Sequence, residues 1–185
     1  MGAAHERRGE AFERLFRDTR ADLLAYVLRR SDTAEDAADV LAETYLIAWR
    51  KLNAIPEGAQ RRPWLFGVAR NMLLKGASRR RSHNALVERL ANELRAVRPA
   101  HPPRGDERRD VLRAALATLP EADREILTLS AWEDLTPKQI ATVVGKSPNV
   151  VRVRLHRARA RLRRQLGPAW QFEPPADYVA IERNW

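Results

Sequence analysis

Between residues 136 and 148 the chain carries two helix-start signals with one glycine between them, and few folds accommodate that spacing. Thr136 precedes Pro137, and Ser147 precedes Pro148. A hydroxyl side chain caps the free N–H groups of a first turn, and a proline just inside that turn gives up an N–H that has no partner anyway. Gly145 falls where the first helix must end, and glycine enters the left-handed conformation that ends helices at no steric cost. Two short helices joined by so tight a turn form a helix-turn-helix. In the second helix Val151, Leu155, Ala158 and Leu162 share one face, while Asn149, Val153, His156 and Arg157 lie opposite, with Arg152 and Arg163 flanking them. Residues 148–166 hold seven arginines and no acid, and Lys146 adds a cation in the turn. Such a helix fits the major groove of duplex DNA and its phosphates. A basic amphipathic helix lying on a membrane surface or on RNA is the alternative.

The rest of the chain is also helical in pattern. Only eight glycines interrupt long segments of 3.6-residue periodicity, so the fold class is all-α. Phe12, Leu15, Phe16, Leu23, Tyr26 and Val27 make the apolar face of a first helix, and Val111, Leu112, Ala115, Leu116 and Leu119 that of a later one. Leu119-Pro120 breaks the chain before a helix over 121–131 that uses Ile126, Leu127 and Leu129. A short helix is expected over 84–97, and the proline-containing run 98–106 cannot continue it. We therefore expect two small helical domains, 8–82 and 110–166, a linker at 83–109, and an aromatic tail at 167–185. The tail contains Trp170, Phe172, Tyr178 and Trp185, which a disordered segment would lack. It is expected to cover apolar surface or to fold back across the basic regions.

One segment opposes the charge of the whole. The chain has a net charge of +10, which points to a polyanionic partner, yet residues 31–50 hold five carboxylates and no base before Arg50. On a helix, Asp32, Asp36, Asp39 and Glu43 fall in one narrow sector, with Ala37, Leu41, Thr44 and Ala48 opposite and Tyr45 and Trp49 turned into the core. Ser31 or Asp32 is placed to cap that helix. Like charges stacked at helical spacing repel, so the stripe calls for a basic partner. Leu46 extends it by one turn with an apolar tip, as on a docking surface.

A loop over 53–62 contains Pro56 and Gly58, and Pro63 restarts a helix. Leu65, Phe66, Ala69, Met72 and Leu73 form its apolar face; Trp64, Val68, Asn71, Lys75 and Arg79 form the other. Residues 61–81 hold seven bases, Arg61 and Arg62 among them, and no acid. An aromatic platform within a positive groove suits single-stranded DNA, because stacking a base on a ring needs no particular base. Packing of Trp64 against the first helix is the bland alternative.

Several classes fall away. The four histidines show no metal-ligand spacing, and no phosphate-cradling glycine loop or nucleophile elbow is present, so no enzyme, cofactor or small-molecule substrate is expected. Asp36-Ala-Ala-Asp39 would be half a divalent-cation site without a second ligand cluster. No run of about 18 apolar residues occurs, and the first residues lack the apolar core of a signal peptide. A cytoplasmic protein without membrane insertion is expected. The lack of cysteine excludes disulfides and thiolate metal sites.

Two motifs together resemble the extracytoplasmic-function group of the bacterial sigma-70 family. Asp36-Ala-Ala-Asp-Val-Leu-Ala-Glu-Thr-Tyr45 with Ala48-Trp49, and then Trp64-Leu-Phe-Gly-Val-Ala-Arg-Asn71, resemble the family's first conserved stretch. Leu119-Pro-Glu-Ala-Asp-Arg-Glu125, the helix-turn-helix and Arg157-Ala-Arg159 resemble its second. The resemblance implies a factor that guides core RNA polymerase to promoter DNA, commonly under control of an anti-sigma factor. By position, Asp39 and Glu43 match residues that bind the clamp helices of the largest polymerase subunit. The loop 53–62 matches the segment that captures a flipped base of the −10 element, Asn71 lies near the opened strand, and the helix from Pro148 matches the −35 reader. The chain departs from the pattern at Ala38, Ala42, Lys75, Gln139 and Val150. The rival within the same chemistry is a helix-turn-helix regulator that does not direct polymerase.

Overall fold

A computed structural model of the chain describes residues 2–91 and 107–167. Among the described residues there are seven α-helices and no strand: α1 (Gly2–Leu28), α2 (Ala34–Arg50), α3 (Arg61–Ala91), α4 (Glu107–Ala117), α5 (Glu121–Ala131), α6 (Pro137–Val144) and α7 (Pro148–Leu166). Two single 3₁₀ turns, Leu52–Ala54 and Gly58–Gln60, lie between α2 and α3. The tail and the proline-rich run, with the expectations attached to them, lie outside the described residues.

The chain forms two compact units that do not follow chain order. Residues 128–152 belong with α1, α2 and α3, whereas α4, α5 as far as Leu127, and α7 from Val153 form the second unit. The reason for this grouping is a set of contacts between residues far apart in sequence, described below. Most of the linker expected at 83–109 lies outside the described residues. Helix α3 continues to Ala91 without the break expected near 82, so the helix expected over 84–97 is, to that point, part of α3.

In the first unit the core is built from residues recurring every three or four positions. Leu15, Thr19, Leu23, Tyr26 and Val27 are buried on α1, Ala37, Thr44, Tyr45 and Ala48 on α2, and Leu65, Phe66 and Ala69 on α3. Phe16, expected among them, is 38% exposed, and the polar Thr19 takes the buried place one turn on. Thr19 is satisfied there. Its hydroxyl donates to the Leu15 carbonyl at 2.7 Å and shares a 2.9 Å hydrogen bond with the Tyr45 hydroxyl. Burial raises the Tyr45 pKa, against smaller opposing effects of that hydrogen bond and of Arg20. Phe12 meets the rings of Tyr45 and Trp49 edge-on, at 6.1 and 5.2 Å between centroids. Tyr26 and Phe66 stack at 4.6 Å with an interplanar angle of 16°, and each ring carries a guanidinium: Arg30 over Tyr26 at 3.9 Å, Arg62 over Phe66 at 5.1 Å.

Helix α2 is capped two residues after Ser31 and one after Asp32. Thr33 is its N-cap, with the hydroxyl accepting from the Asp36 N–H at 3.0 Å. Helix α3 starts at Arg61, two residues before Pro63, because the 3₁₀ turn Gly58–Gln60 runs straight into it. Pro63 then sits in the first turn, where its missing N–H costs nothing.

The segment 128–152 is held to α1 and α3 at three places. First, Glu133 is 1% exposed, and its carboxylate accepts from Arg29 at 2.7 Å and Arg30 at 3.1 Å. Arg30 also donates to the Tyr26 carbonyl at 3.0 Å and to Thr128 at 3.4 Å. Second, Gln139 of α6 completes a capping box with Thr136 and uses its remaining amide protons to donate to the Ala59 carbonyl at 3.1 Å. Thr142 donates to the Gln60 side chain at 2.8 Å. Third, a Cβ built at Gly67 would lie 3.5 Å from the carbonyl oxygens of Thr142 and Val143, so the backbone of α6 approaches α3 at this glycine. A mid-helix glycine costs about 1 kcal/mol of helix stability, and at Gly67 a Cβ would sit in ordinary van der Waals contact with the α6 carbonyls.

The helix-turn-helix signals hold in detail. Thr136 caps α6, Pro137 occupies its first turn, and Gly145 closes it in the left-handed conformation at φ 64°. In the second unit Ala115, Leu119, Ile126, Leu127, Leu155, Ala158 and Leu162 are buried, but Val111 is 47% exposed, one turn before the buried Ala115 of α4. Asp123, 8% exposed, accepts from Arg161 at 2.9 Å and faces Arg154 at 3.9 Å.

Two expectations follow. Replacing Glu133 by Ala should lower stability by about 3 kcal/mol, because the arginines lose a desolvated partner; a urea midpoint equal to wild type would contradict this. Gln139→Glu keeps an acceptor for the Thr136 N–H but loses the donor to Ala59, at about 1 kcal/mol. Its signature should be faster amide hydrogen exchange in residues 58–62 with the α6 amides still protected.

Candidate functional site

Three surfaces carry the side chains singled out by the sequence, and each is set by how its helix buries the opposite face. On α2 the inward row is Ala37, Thr44, Tyr45 and Ala48, with Leu41 and Trp49 half-buried beside it. This turns Asp39 and Glu43 outward, both exposed, with Leu46 at 41% exposure one turn on and Asp36 half-buried. Asp39 and Glu43 form no ion pair with another described residue. The stripe is thus available to a basic partner, and Leu46 gives it an apolar end.

On α3, burial of Leu65, Phe66 and Ala69 leaves Trp64 and Val68 half-buried and Asn71 and Lys75 exposed along one side. Arg79 lies on the same helix, among residues whose side chains are not described. The two arginines at the helix start differ in surroundings. Arg61 is half-buried, whereas Arg62 pairs with Asp22 of α1 at 2.8 Å and lies over the Phe66 ring. Arg62, expected on the single-strand surface, is therefore tied to α1, and a ligand would have to compete with Asp22 for it. The preceding loop is not free on all sides either. The Ala59 carbonyl and the Gln60 side chain are held by Gln139 and Thr142.

On α7 the outward residues are those expected. Val151, Leu155, Ala158 and Leu162 are buried, and Asn149, Arg152, Val153, His156 and Arg157 are exposed, with Lys146 exposed in the turn before the helix. The helix begins with a hydroxyl cap: the Ser147 side chain accepts from the Val150 N–H at 3.4 Å. Of the seven arginines, Arg154 and Arg161 are engaged by Asp123 and are not part of the outward face.

Sequence reasoning missed Glu133, Gln139, Thr142, Gly67 and Asp123 as organising residues. Gly67 left a trace as a glycine inside a strong helical pattern, and Gln139 as a departure from the family pattern. Glu133 and Asp123 find their arginines across about 103 and 38 residues of chain, a distance no local pattern spans. Among the described residues no group of three potential metal ligands occurs, and no helix is long and apolar enough to cross a membrane.

Comparison with known proteins assigns the two halves separately. The model of sigma-70 region 2 matches residues 15–83, which contain the α2 and α3 surfaces. The model of sigma-70 region 4 matches residues 109–162, which contain the helix-turn-helix. The chain is 32% identical over 152 residues to the ECF RNA polymerase sigma factor SigL of Mycobacterium tuberculosis, covering 80% of this chain and 85% of SigL. It is 31% identical over 163 residues to a probable RNA polymerase sigma factor, RfaY, of Xanthomonas campestris, covering 85% of this chain but only 40% of that longer protein. In fold it is similar to the sigma factor RpoE of Bartonella quintana, solved with the anti-sigma factor NepR, at a TM-score of 0.60 and 23% identity over 86% of this chain and 98% of that one. It is also similar to CnrH, solved with the cytosolic domain of CnrY, at a TM-score of 0.57 and 24% identity over 85% of this chain and 88% of that one. With an outward acidic stripe, a basic aromatic helix and a basic helix-turn-helix in the order of those two regions, the chain belongs to the extracytoplasmic-function group of the sigma-70 family.

Proposed function

We propose that the chain acts as an alternative sigma factor that docks on core RNA polymerase through α2 and directs it to promoters, opening the −10 element beside α3 and reading the −35 element with α7. The observation that carries this reading is the outward stripe of Asp39, Glu43 and Leu46. A DNA-binding regulator working alone has no use for an acidic surface on a chain of net charge +10, and a stripe of that kind complements a basic docking site.

The residues take distinct roles. Asp36, Asp39 and Glu43 supply charge to the polymerase contact, and Leu46 its apolar end. Trp64 offers a stacking face, Asn71 hydrogen bonds, and Lys75 with Arg61 and Arg79 a positive track for a single strand, Arg62 joining them on release from Asp22. Asn149, Arg152, His156 and Arg157 stand where the first turns of a recognition helix reach base edges, with Lys146 on the flanking phosphate. This is a stoichiometric role without bond-making chemistry, carried out in the cytoplasm where the polymerase works. The similar structure of RpoE is a complex with the anti-sigma factor NepR, which supports a partner of that kind here.

In vitro transcription tests the reading. The purified chain with core polymerase on a promoter library should give starts that neither component gives alone. A regulator would instead bind duplex tightly by itself and leave polymerase selectivity unchanged.

Asp39→Lys combined with Glu43→Lys should abolish association with core polymerase while leaving the helical content and thermal midpoint as in wild type. Reversal of two docking charges costs on the order of 2 kcal/mol or more each. Unchanged co-purification at moderate salt would place the contact elsewhere.

A further inference from the structure

The outward face of α7 has an apolar centre. Val153 is 50% exposed, and among the large apolar side chains described only Trp132, at 52%, is more so. Its neighbours on a helix surface are the residues three and four positions away: Asn149, Val150, His156 and Arg157, all exposed. At 100° per residue it stands almost diametrically opposite the buried row Val151, Leu155, Ala158 and Leu162. The isopropyl group is therefore flanked at neighbouring helical positions by an amide, an imidazole and a guanidinium, and faces away from the core.

Stability does not explain that choice. A β-branched residue loses side-chain freedom in a helix, and Ala, Gln or Arg would favour the helix more at an exposed position. Position within the helix supplies a reason. Val153 is the sixth residue of α7, within the two turns that enter a groove. The edges of the bases in the major groove offer hydrogen-bond donors and acceptors throughout, with one apolar group, the C5 methyl of thymine. Val150, 42% exposed one turn earlier, widens the apolar strip on one side, while Arg157 and Asn149 bound it with groups suited to phosphate or a base edge.

We propose that Val153 is a specificity-determining residue that reads the C5 methyl group of one thymine in the upstream promoter element, with Asn149, His156 and Arg157 fixing the register around it. The proposal rests on α7 being the −35 reader. The contact buries one methyl group against another, so its removal should be felt at a single base pair.

The test uses the full chain with core polymerase and an upstream element identified by transcription from a randomised library. Each thymine of that element, on either strand, is replaced singly by deoxyuridine, which removes the methyl and keeps every hydrogen bond. At one position, holoenzyme binding should weaken about three- to tenfold, the order expected for loss of one buried methyl. Val153→Ala should bind thymine and uridine promoters equally at that position, whereas Val150→Ala should retain the difference. An element without thymine, a binding series indifferent to every uridine, or a Val153→Ala holoenzyme that still prefers thymine would overturn the proposal. So would a Val153→Ala chain that loses affinity for core polymerase, which would make the valine a protein contact. Failure of wild type to start transcription on any library sequence would instead overturn the sigma reading itself, so the two failures are told apart.

Discussion

Among the described residues of the first unit, the carboxylate of Glu133 is the one charge that water cannot reach, and the packing around it follows from that. At 1% exposure it needs partners on both oxygens, and Arg29 and Arg30 supply one each, at 2.7 and 3.1 Å. Consecutive residues can do this only where the chain leaves its helix, and α1 ends at Leu28. Arg30 cannot move far, because it also bonds the Tyr26 carbonyl and lies over the Tyr26 ring, which stacks in turn on Phe66. One ion cluster thus fixes the end of α1, the first turns of α3 and the chain after α5 together. A buried ion pair adds little net stability compared with well-packed apolar residues, yet breaking it is expensive. Its effect is to penalise arrangements in which residues 128–152 leave the cluster with the charge still buried.

The docking of α6 shows how local and distant demands meet in single residues. A glutamate at position 139 would make the same capping box, since a carboxylate accepts from the Thr136 N–H as well as an amide does. Only an amide can also donate, and Gln139 spends that donor on Ala59. The departure from the family pattern is therefore used structurally. Gly67 is a similar case: poor for α3 by propensity, it admits the carbonyls at the end of α6 to 3.5 Å from where a Cβ would stand.

What was legible in the sequence had a short-range cause. The caps at Thr136 and Ser147, the left-handed Gly145 and the inward rows of α2 and α7 depend on residues within two turns, and they stand as expected. Thr33 in place of Ser31 or Asp32 is a shift among three adjacent capping side chains, all chemically able. Phe16 and Val111 lie at the margins of apolar rows, where the width of the neighbouring helix, invisible in the pattern, decides which residue is covered. The grouping of residues 128–152 with α1 and α3 was out of reach, because Glu133, Gln139 and Gly67 act through partners 75 to 104 residues away.

Charge, finally, is sorted by burial more than by sequence. Counted along the chain, α7 offers seven arginines to a polyanion, but Asp123 holds Arg154 and Arg161 at one flank of the helix. Arg62 is drawn to Asp22 in the same way. These acids lie beside the basic helices and take up cations that would otherwise bind phosphate without regard to sequence, the interaction that dominates non-specific affinity. The carboxylates of Asp39 and Glu43 have no such neighbour among the described residues and point outward from a helix whose other face is fully used in the core. An acid that neutralises its own chain lowers the net charge locally; an acid that faces water keeps its charge exposed. That contrast, between Asp123 and Asp22 on one side and Asp39 and Glu43 on the other, separates carboxylates paired within the chain from carboxylates left to solvent in a way that composition cannot.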